Sequence, residues 1–380
     1  MRRYVLLCSL WCAAQTGYGQ TYDELLNRAS KALGDKSYCT ALQYFQQAFI
    51  DTTRAGTYDL AFGAVAAANC QKSDVAMMWL WRSMAKGLGQ NPGETEQIVN
   101  DASFAVLHRH KEWPKWVKSM RDSQSQRDIR VTKQRTDWFE VSTKNAVPFP
   151  EKGEGYAKAS AGFAQYNSLF DTLNIPYLVR VPEGYTPTKG YPLVVYLHGG
   201  VVSTEMFQNL DPQVVNEPIF KIAPNAFILY PYGRKSFGWV NQKEAFQHVL
   251  TAITEVKRRY CINSKHVYLG GMSNGATAAF WYAAHFPTEF AGFFAFSPGP
   301  TMAIDEQTFS LISSAAVITS VSAKDDSVYP YDQVRRTYDM HRQQAARWLF
   351  KTIDNGGHGF IYSPEGLIIM QQTISDLMSK

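Results

Sequence analysis

The sequence predicts an α/β fold, a mostly parallel sheet covered by helices on both faces, preceded by a small all-α region. Three observations carry this prediction. From about residue 163 onward, short and nearly continuous apolar runs recur between stretches of helical length. Such runs suit strands buried on both faces, and their alternation with helices is what parallel pairing requires. Residues 21–120 instead place apolar side chains three and four apart, the helical period. Finally, a Gly-x-Ser-x-Gly sequence falls between a strand run and a helix run.

Length and composition set the outer limits. A chain of 380 residues can bury two separate cores. Its 45% hydrophobic and 19% charged content exclude a disordered or fibrous protein. The first residues read as a secretory leader, 1–19. Arg2 and Arg3 precede a short apolar run, and small residues follow at Cys12-Ala13-Ala14 and Gly17-Tyr18-Gly19. That run is too short for a transmembrane anchor. Leu7 and Trp11, before Cys8 and Cys12, are not the small residues that lipoprotein processing needs. Export to the periplasm or the extracellular space is therefore expected. Cleavage after Gly19 removes Arg2 and Arg3 and leaves 36 basic against 33 acidic residues. A net charge of +3 gives no reason to expect a nucleic-acid partner.

The helical region, 20–120, divides into segments near 21–33, 37–51, 57–70 and 74–87, broken at Gly34-Asp35, 53–56 and 71–74. Tyr38, Ala41, Tyr44, Phe45 and Ala48, then Ala61, Ala68, Ala76 and Ala85, resemble the pattern of tetratricopeptide repeats. A plain helical bundle is the alternative. This region is also the candidate docking surface for a protein partner. Cys39, Cys70 and Cys261 remain after the leader and are expected as buried thiols, with Cys39–Cys70 as the alternative pair. No Cys/His cluster has metal-binding spacing, so neither metal nor other cofactor is expected. Residues 121–145, polar at their start, read as a linker.

The second domain, 146–380, opens with strands at 163–170 and 175–181. Further strands are expected at 192–197, 226–230, 266–270, 290–296, 316–321 and 346–353, with helices at 245–260, 276–286 and 330–344. Two antiparallel strands leading into a parallel sheet fit the order of an α/β-hydrolase.

The chemistry sits at Gly271-Met272-Ser273-Asn274-Gly275, directly after one strand run and directly before a helix run. A nucleophile elbow there holds Ser273 in a strained turn and needs nearly bare residues two positions to either side. An acid loop follows later, at Asp325-Asp326-Ser327-Val328, and then His358 in a glycine-rich loop. The order Ser, Asp, His is the one this fold uses. His358 would take the serine proton, and the acid would hold the imidazole. The spacing Asp325…Val328, followed by Pro330, makes Asp325 the expected acid, with Asp326 and Asp354 as alternatives. His198-Gly199-Gly200-Val201 ends the first parallel strand. Backbone N–H groups of Gly200 or Val201, with that of Asn274, are the candidate oxyanion donors, while His198 is expected to fix the loop. Trp239, flanked by Gly238, reads as a structural tryptophan or as a candidate ligand-stacking residue. The cleft rim is expected from 203–223 and 232–242.

Residues from about 177 to 380 resemble the secreted esterases related to polyhydroxybutyrate depolymerases and feruloyl esterases. The resemblance rests on Val181-Pro182-Glu183-Gly184-Tyr185, the run 191–200, Tyr260-Cys261-Ile262-Asn263, Val267-Tyr268 and the elbow with Pro287, Phe290 and Ala291. Many relatives have glycine where this chain has Ala276, and aspartate where it has Asn263. The resemblance implies a serine carboxylic-ester hydrolase acting on small or polymer-linked esters, such as feruloyl or acetyl groups on polysaccharides. The alternatives are a serine peptidase of the same fold and a non-catalytic binding protein.

Overall fold

The computed structural model describes residues 21–379 except 51–52, 92, 204–211, 241, 303–308, 310 and 313. The expected leader lies outside the described residues. The chain divides into two compact units, Met1–Thr132 and Lys133–Lys380.

The first unit is built from α1 (Tyr22–Gly34), α2 (Tyr38–Ala48), α3 (Thr57–Asn69), α4 (Ser73–Ala85) and the short α5 (Glu94–Val99). Thr21 starts α1 with a reciprocal cap: its hydroxyl accepts from the Glu24 N–H, and the Glu24 carboxylate accepts from its own N–H. Consecutive helices pack on one another from α1 to α4. Small residues permit this, since Ala29, Ala41, Ala64, Ala67 and Ala76 are fully buried. A Cβ on Gly63 would come within 2.9 Å of the Phe49 and Trp79 rings.

One expectation fails in this half of the chain, and one segment proves helical. Cys39 and Cys70 are not thiols but a disulfide, joining the start of α2 to the residue that ends α3. Helical period had put them on neighbouring helices without revealing that they face each other. Closing 31 residues of chain this way stabilises the fold by on the order of 3–4 kcal/mol. Residues 121–144, expected as a linker, lie inside the helix α6 (Trp113–Lys144). Its first turns bury the periodic stripe Trp113, Trp116, Val117 and Met120, but from 121 on it has too few apolar residues to continue one. It relies on helix-favouring polar residues and on i,i+4 pairs such as Lys118–Asp122 and Lys133–Asp137.

The second unit carries eight strands: β1 (Gly162–Phe170), β2 (Leu173–Val181), β3 (Tyr191–Leu197), β4 (Phe227–Pro231), β5 (Ile262–Met272), β6 (Gly292–Phe296), β7 (Ile318–Ala323) and β8 (Trp348–Ile353). They form one sheet in the order β1-β2-β4-β3-β5-β6-β7-β8. β1 pairs antiparallel with β2 and β2 with β4, and all later pairings are parallel. This is the α/β-hydrolase fold.

Strand alternation divides the core in two. On β3, Leu193, Val195 and Leu197 face α8 (Lys243–Arg259) and α9 (Asn274–His285). Val194 and Tyr196 face the other way, toward α7 (Ile219–Ile222) and α11 (Pro364–Met378). α10 (Tyr331–His341) fills the crossover between β7 and β8. The terminal helix α11 escaped the sequence reading although Ser363 caps it and Pro364 opens it.

Candidate active site

All the reactive groups sit at or just beyond the C-terminal ends of parallel strands, where loops converge in an open α/β sheet. Ser273 stands between β5 and α9 with φ 56° and ψ −119°, a conformation that side chains rarely adopt. The surroundings force it. A Cβ on Gly271 would lie 2.0 Å from the Leu197 carbonyl oxygen, and one on Gly275 would lie 1.9 Å from the same atom. Only glycine fits at either place, so β3 presses directly against the elbow. The Ser273 N–H is tied to the Phe296 carbonyl at 2.9 Å.

His358 follows β8. Its Nε2 lies 2.8 Å from Ser273 Oγ, and its Nδ1 lies 2.9 Å from Asp326 Oδ2. Asp326 has no exposed side-chain surface. Its Oδ1 also accepts the N–H groups of Val328 and Tyr329, each at 2.9 Å. With Nδ1–H donated to a buried carboxylate, Nε2 is left to accept the serine proton.

The acid expected from sequence was Asp325, and the geometry moves that place one residue on. Asp325 is exposed, and its oxygens accept the N–H groups of Gly356 and Gly357, 3.1 and 2.8 Å away. Those bonds, Gly357 first, hold its carboxyl below the usual range. It tethers the glycine loop that presents His358. The strand reading could not fix the register, because every residue of β7 is buried and both faces look alike. Beyond the strand Asp326 makes an Asx turn, capping the N–H groups two and three residues further on. Asp325 is followed by N–H groups at the same spacing, so this pattern does not separate the two in sequence.

The turn after β3, expected to carry oxyanion donors, is braced from behind. The Gly233 N–H donates to His198 Nε2 at 3.0 Å, which leaves Nδ1 protonated and donating to the Gly199 carbonyl at 2.7 Å. Burial pulls the His198 pKa down to about 4, so this ring stays neutral and serves as the expected loop anchor. Trp239 Nε1–H donates to the His198 carbonyl at 2.8 Å. At 1% exposure Trp239 cannot stack on a ligand, and the substrate-binding expectation gives way to that of a strut. Val201 is buried against Gly233 and Gly238. Gly199 and Gly200 line the cavity, and a Cβ on Gly199 would come 3.0 Å from Ser273 Cβ. Asn274 opens α9, so its N–H is one of the first-turn donors without a partner inside the helix.

Several polar residues were missed. Asn274 Nδ2 donates to the Tyr329 hydroxyl at 2.9 Å, and the Tyr329 ring meets that of His358 edge-on at 5.1 Å. Burial raises the Tyr329 pKa, against the pull of hydrogen bonds with Ser273, Thr277 and Asn274. Ser297, buried and left-handed at φ 50°, donates to the His358 carbonyl at 2.8 Å. The cavity over Ser273 measures about 470 Å³, and its edge is formed by Val202, Glu217, Val328 and Tyr362. Of the expected rim, 203–223 contributes Glu217, 204–211 lies outside the described residues, and 232–242 contributes no lining residue among those described. Among the described residues no group of three or more His, Cys, Asp or Glu is placed to hold a metal. No described helix is long and apolar enough to cross a membrane.

Comparison with known proteins converges on the same half of the chain. The family model named Esterase matches residues 173–350 and supports a hydrolase of carboxylic esters. None of the curated proteins matches the chain. Among solved structures, a thermostable esterase is 23% identical with a TM-score of 0.45, over 57% of this chain and 62% of its own length. A ferulic acid esterase is 14% identical with a TM-score of 0.46, over 58% of this chain and 98% of its own. A fluorophosphonate-binding serine hydrolase of Staphylococcus aureus is 13% identical with a TM-score of 0.47, over 58% and 100%.

Proposed function

We propose that the protein is a serine carboxylic-ester hydrolase working through an acyl-enzyme on Ser273, with His358 as general base and acid and Asp326 as the residue that orients it. The observation that carries this reading is the unbroken chain Ser273 Oγ, His358 Nε2, His358 Nδ1, Asp326 Oδ2, with steps of 2.8 and 2.9 Å. Ser273 Oγ would attack the ester carbonyl as its proton passes to Nε2. The negative charge would then form on the carbonyl oxygen, facing the N–H groups of Asn274 and of Gly200 or Val201. Collapse would expel the alcohol, protonated by His358, and water would repeat the sequence to release the acid. Tyr329, bonded to Asn274 and packed on His358, would hold both in register.

The natural substrates we assign to this site are esters on extracellular polymers, with feruloyl and acetyl groups on polysaccharides as the model. The exported location is supported by the leader-like start and by the Cys39–Cys70 disulfide, a bond that persists where the surroundings are oxidising. The tetratricopeptide likeness and the docking role of the helical unit belong to the same proposal.

The test is labelling and turnover together. A fluorophosphonate is expected to modify wild type at Ser273, and wild type is expected to hydrolyse a short-chain aryl ester. Ser273→Ala should lose both. Turnover by Ser273→Ala near the wild-type rate would sink the assignment.

A further inference from the structure

The cavity over Ser273 contains one carboxylate that hydrolysis does not use. Glu217, just before α7, lines it together with Tyr230 and Tyr362. Among the described residues its hydrogen-bonding side-chain partner is the Tyr362 hydroxyl, which donates over 3.3 and 3.5 Å to its two oxygens. Bonds of that length leave most of the carboxylate's accepting capacity unfilled. Burial raises its pKa, with the Tyr362 bond working against that shift.

The neighbouring groups make this more than a stray surface acid. Tyr196 and Tyr230 are both deeply buried, and the Glu217 charge adds to burial in keeping their hydroxyls protonated. The Tyr196 hydroxyl has no partner among the described residues. Tyr362 is 59% exposed and offers an aromatic surface at the cavity edge. Val202 and Val328, also exposed, make the rest of that edge apolar.

We propose that Glu217 and Tyr362 form a subsite for the hydroxyl-bearing part of the ester, with the carboxylate accepting hydrogen bonds from adjacent sugar-type hydroxyls and the Tyr362 ring packing on the apolar face of the same unit. Placed in the cavity, the same negative charge repels esters that carry an acidic group there. An ammonium group would also satisfy a carboxylate. The hydroxylated ligand is favoured because the donors and acceptors around Glu217 are phenols, and because a carboxylate beside an aromatic face suits a ring with polar edges and an apolar face. This subsite rests on the reading of Ser273 as the nucleophile of an ester hydrolase.

The experiment compares wild type with Glu217→Gln and Tyr362→Phe on four acetyl esters: 4-nitrophenyl acetate, an O-acetylated methyl xyloside, an O-acetylated glucuronic acid and acetylcholine. Active-site titration with a fluorophosphonate sets the concentration of folded enzyme for each variant. For Glu217→Gln the ratio of kcat/KM on the xyloside to that on the aryl ester is expected to fall at least tenfold, mainly through KM. The ratio for the acidic ester should rise. Tyr362→Phe should move the xyloside ratio in the same direction by a smaller factor. Unchanged ratios in a variant that still labels and still cleaves the aryl ester would overturn the subsite while leaving the hydrolase reading intact. A loss confined to acetylcholine would overturn it in favour of a cation site. A wild type that cleaves none of the four would remove the hydrolase reading and the subsite with it.

Discussion

Left-handed backbone at residues other than glycine does two different jobs in the molecule. In the helical unit it occurs at Lys36 and Gln71, each in the turn just beyond a helix. Both are exposed. Each turn carries the same pair of bonds, from Lys36 to Leu33 and Ser37 to Ala32, and from Gln71 to Ala68 and Lys72 to Ala67. This is the Schellman ending, and the side chain at its left-handed position takes no part in it. In the hydrolase unit Asp171 plays the same exposed turn role between β1 and β2, whereas the left-handed residues Ser273 and Ser297 are buried at the ends of β5 and β6. Their hydroxyls bond to opposite sides of the same residue, His358 Nε2 and the His358 carbonyl. Strain at a helix end is incidental and can be removed. Strain in the site is held in place by contacts that leave the backbone no alternative, and it aims a reacting atom.

The sharpest test of that distinction is the adjacent pair of aspartates. Asp326 is locked by two backbone N–H groups and by His358, whereas Asp325 holds only the exposed glycine loop. Asp326→Asn should lower kcat on an aryl ester by about 10⁴-fold, because an amide favours the wrong imidazole tautomer. Asp325→Asn should cost no more than about tenfold, since an amide oxygen still accepts from one glycine N–H. The reverse ranking would place the orienting carboxylate on Asp325 and contradict the geometry.

What sequence could and could not supply follows the same division. The inner parallel strands were legible because strands buried on both faces read as uninterrupted apolar runs, and β1, β2 and β8 because their shorter apolar stretches are bounded by turn residues. The elbow was legible because its glycines stand at fixed spacing from Ser273. Asp326 was misread by one position because the doubly buried β7 gives no parity to count from. Trp239 looked like a binding residue beside a glycine, yet that glycine is small so that Val201 can pack. Tyr329 and Tyr362 carry no motif, and only folding brings them to Ser273, while Glu217 was foreseen only as one of many residues in the expected rim 203–223. The part of α6 beyond Met120 was missed because its mostly polar side chains leave no period to detect.

A second test asks whether strain at the nucleophile is real. Ser273→Gly should raise folding stability by about 1 kcal/mol, the relief of a strained residue less the chain entropy that glycine adds. Turnover should be lost, as in Ser273→Ala, while the alanine variant, still strained, should gain less stability. Urea midpoints for the three proteins decide it. Equal midpoints for glycine and alanine would mean that the elbow costs the fold nothing.

The smallest effect is expected at the helix ends, and its sign matters more than its size. Lys36 and Gln71 sit where glycine is the commonest residue, since a Cβ in this conformation crowds the neighbouring backbone. Neither side chain is buried, and the bonds that close each turn come from the main chain. Lys36→Gly and Gln71→Gly should therefore each stabilise the protein, by up to about 1 kcal/mol, with kcat and KM on an aryl ester unchanged. The two effects should add, because the turns end different helices and share no bond. Gln71 adjoins Cys70, so its measurement is best made with the disulfide intact, where the closed loop already restricts the unfolded chain. Destabilisation by either glycine would show that the exposed side chain does contribute to its turn. The contrast with Ser273 and Ser297 would then be one of degree only.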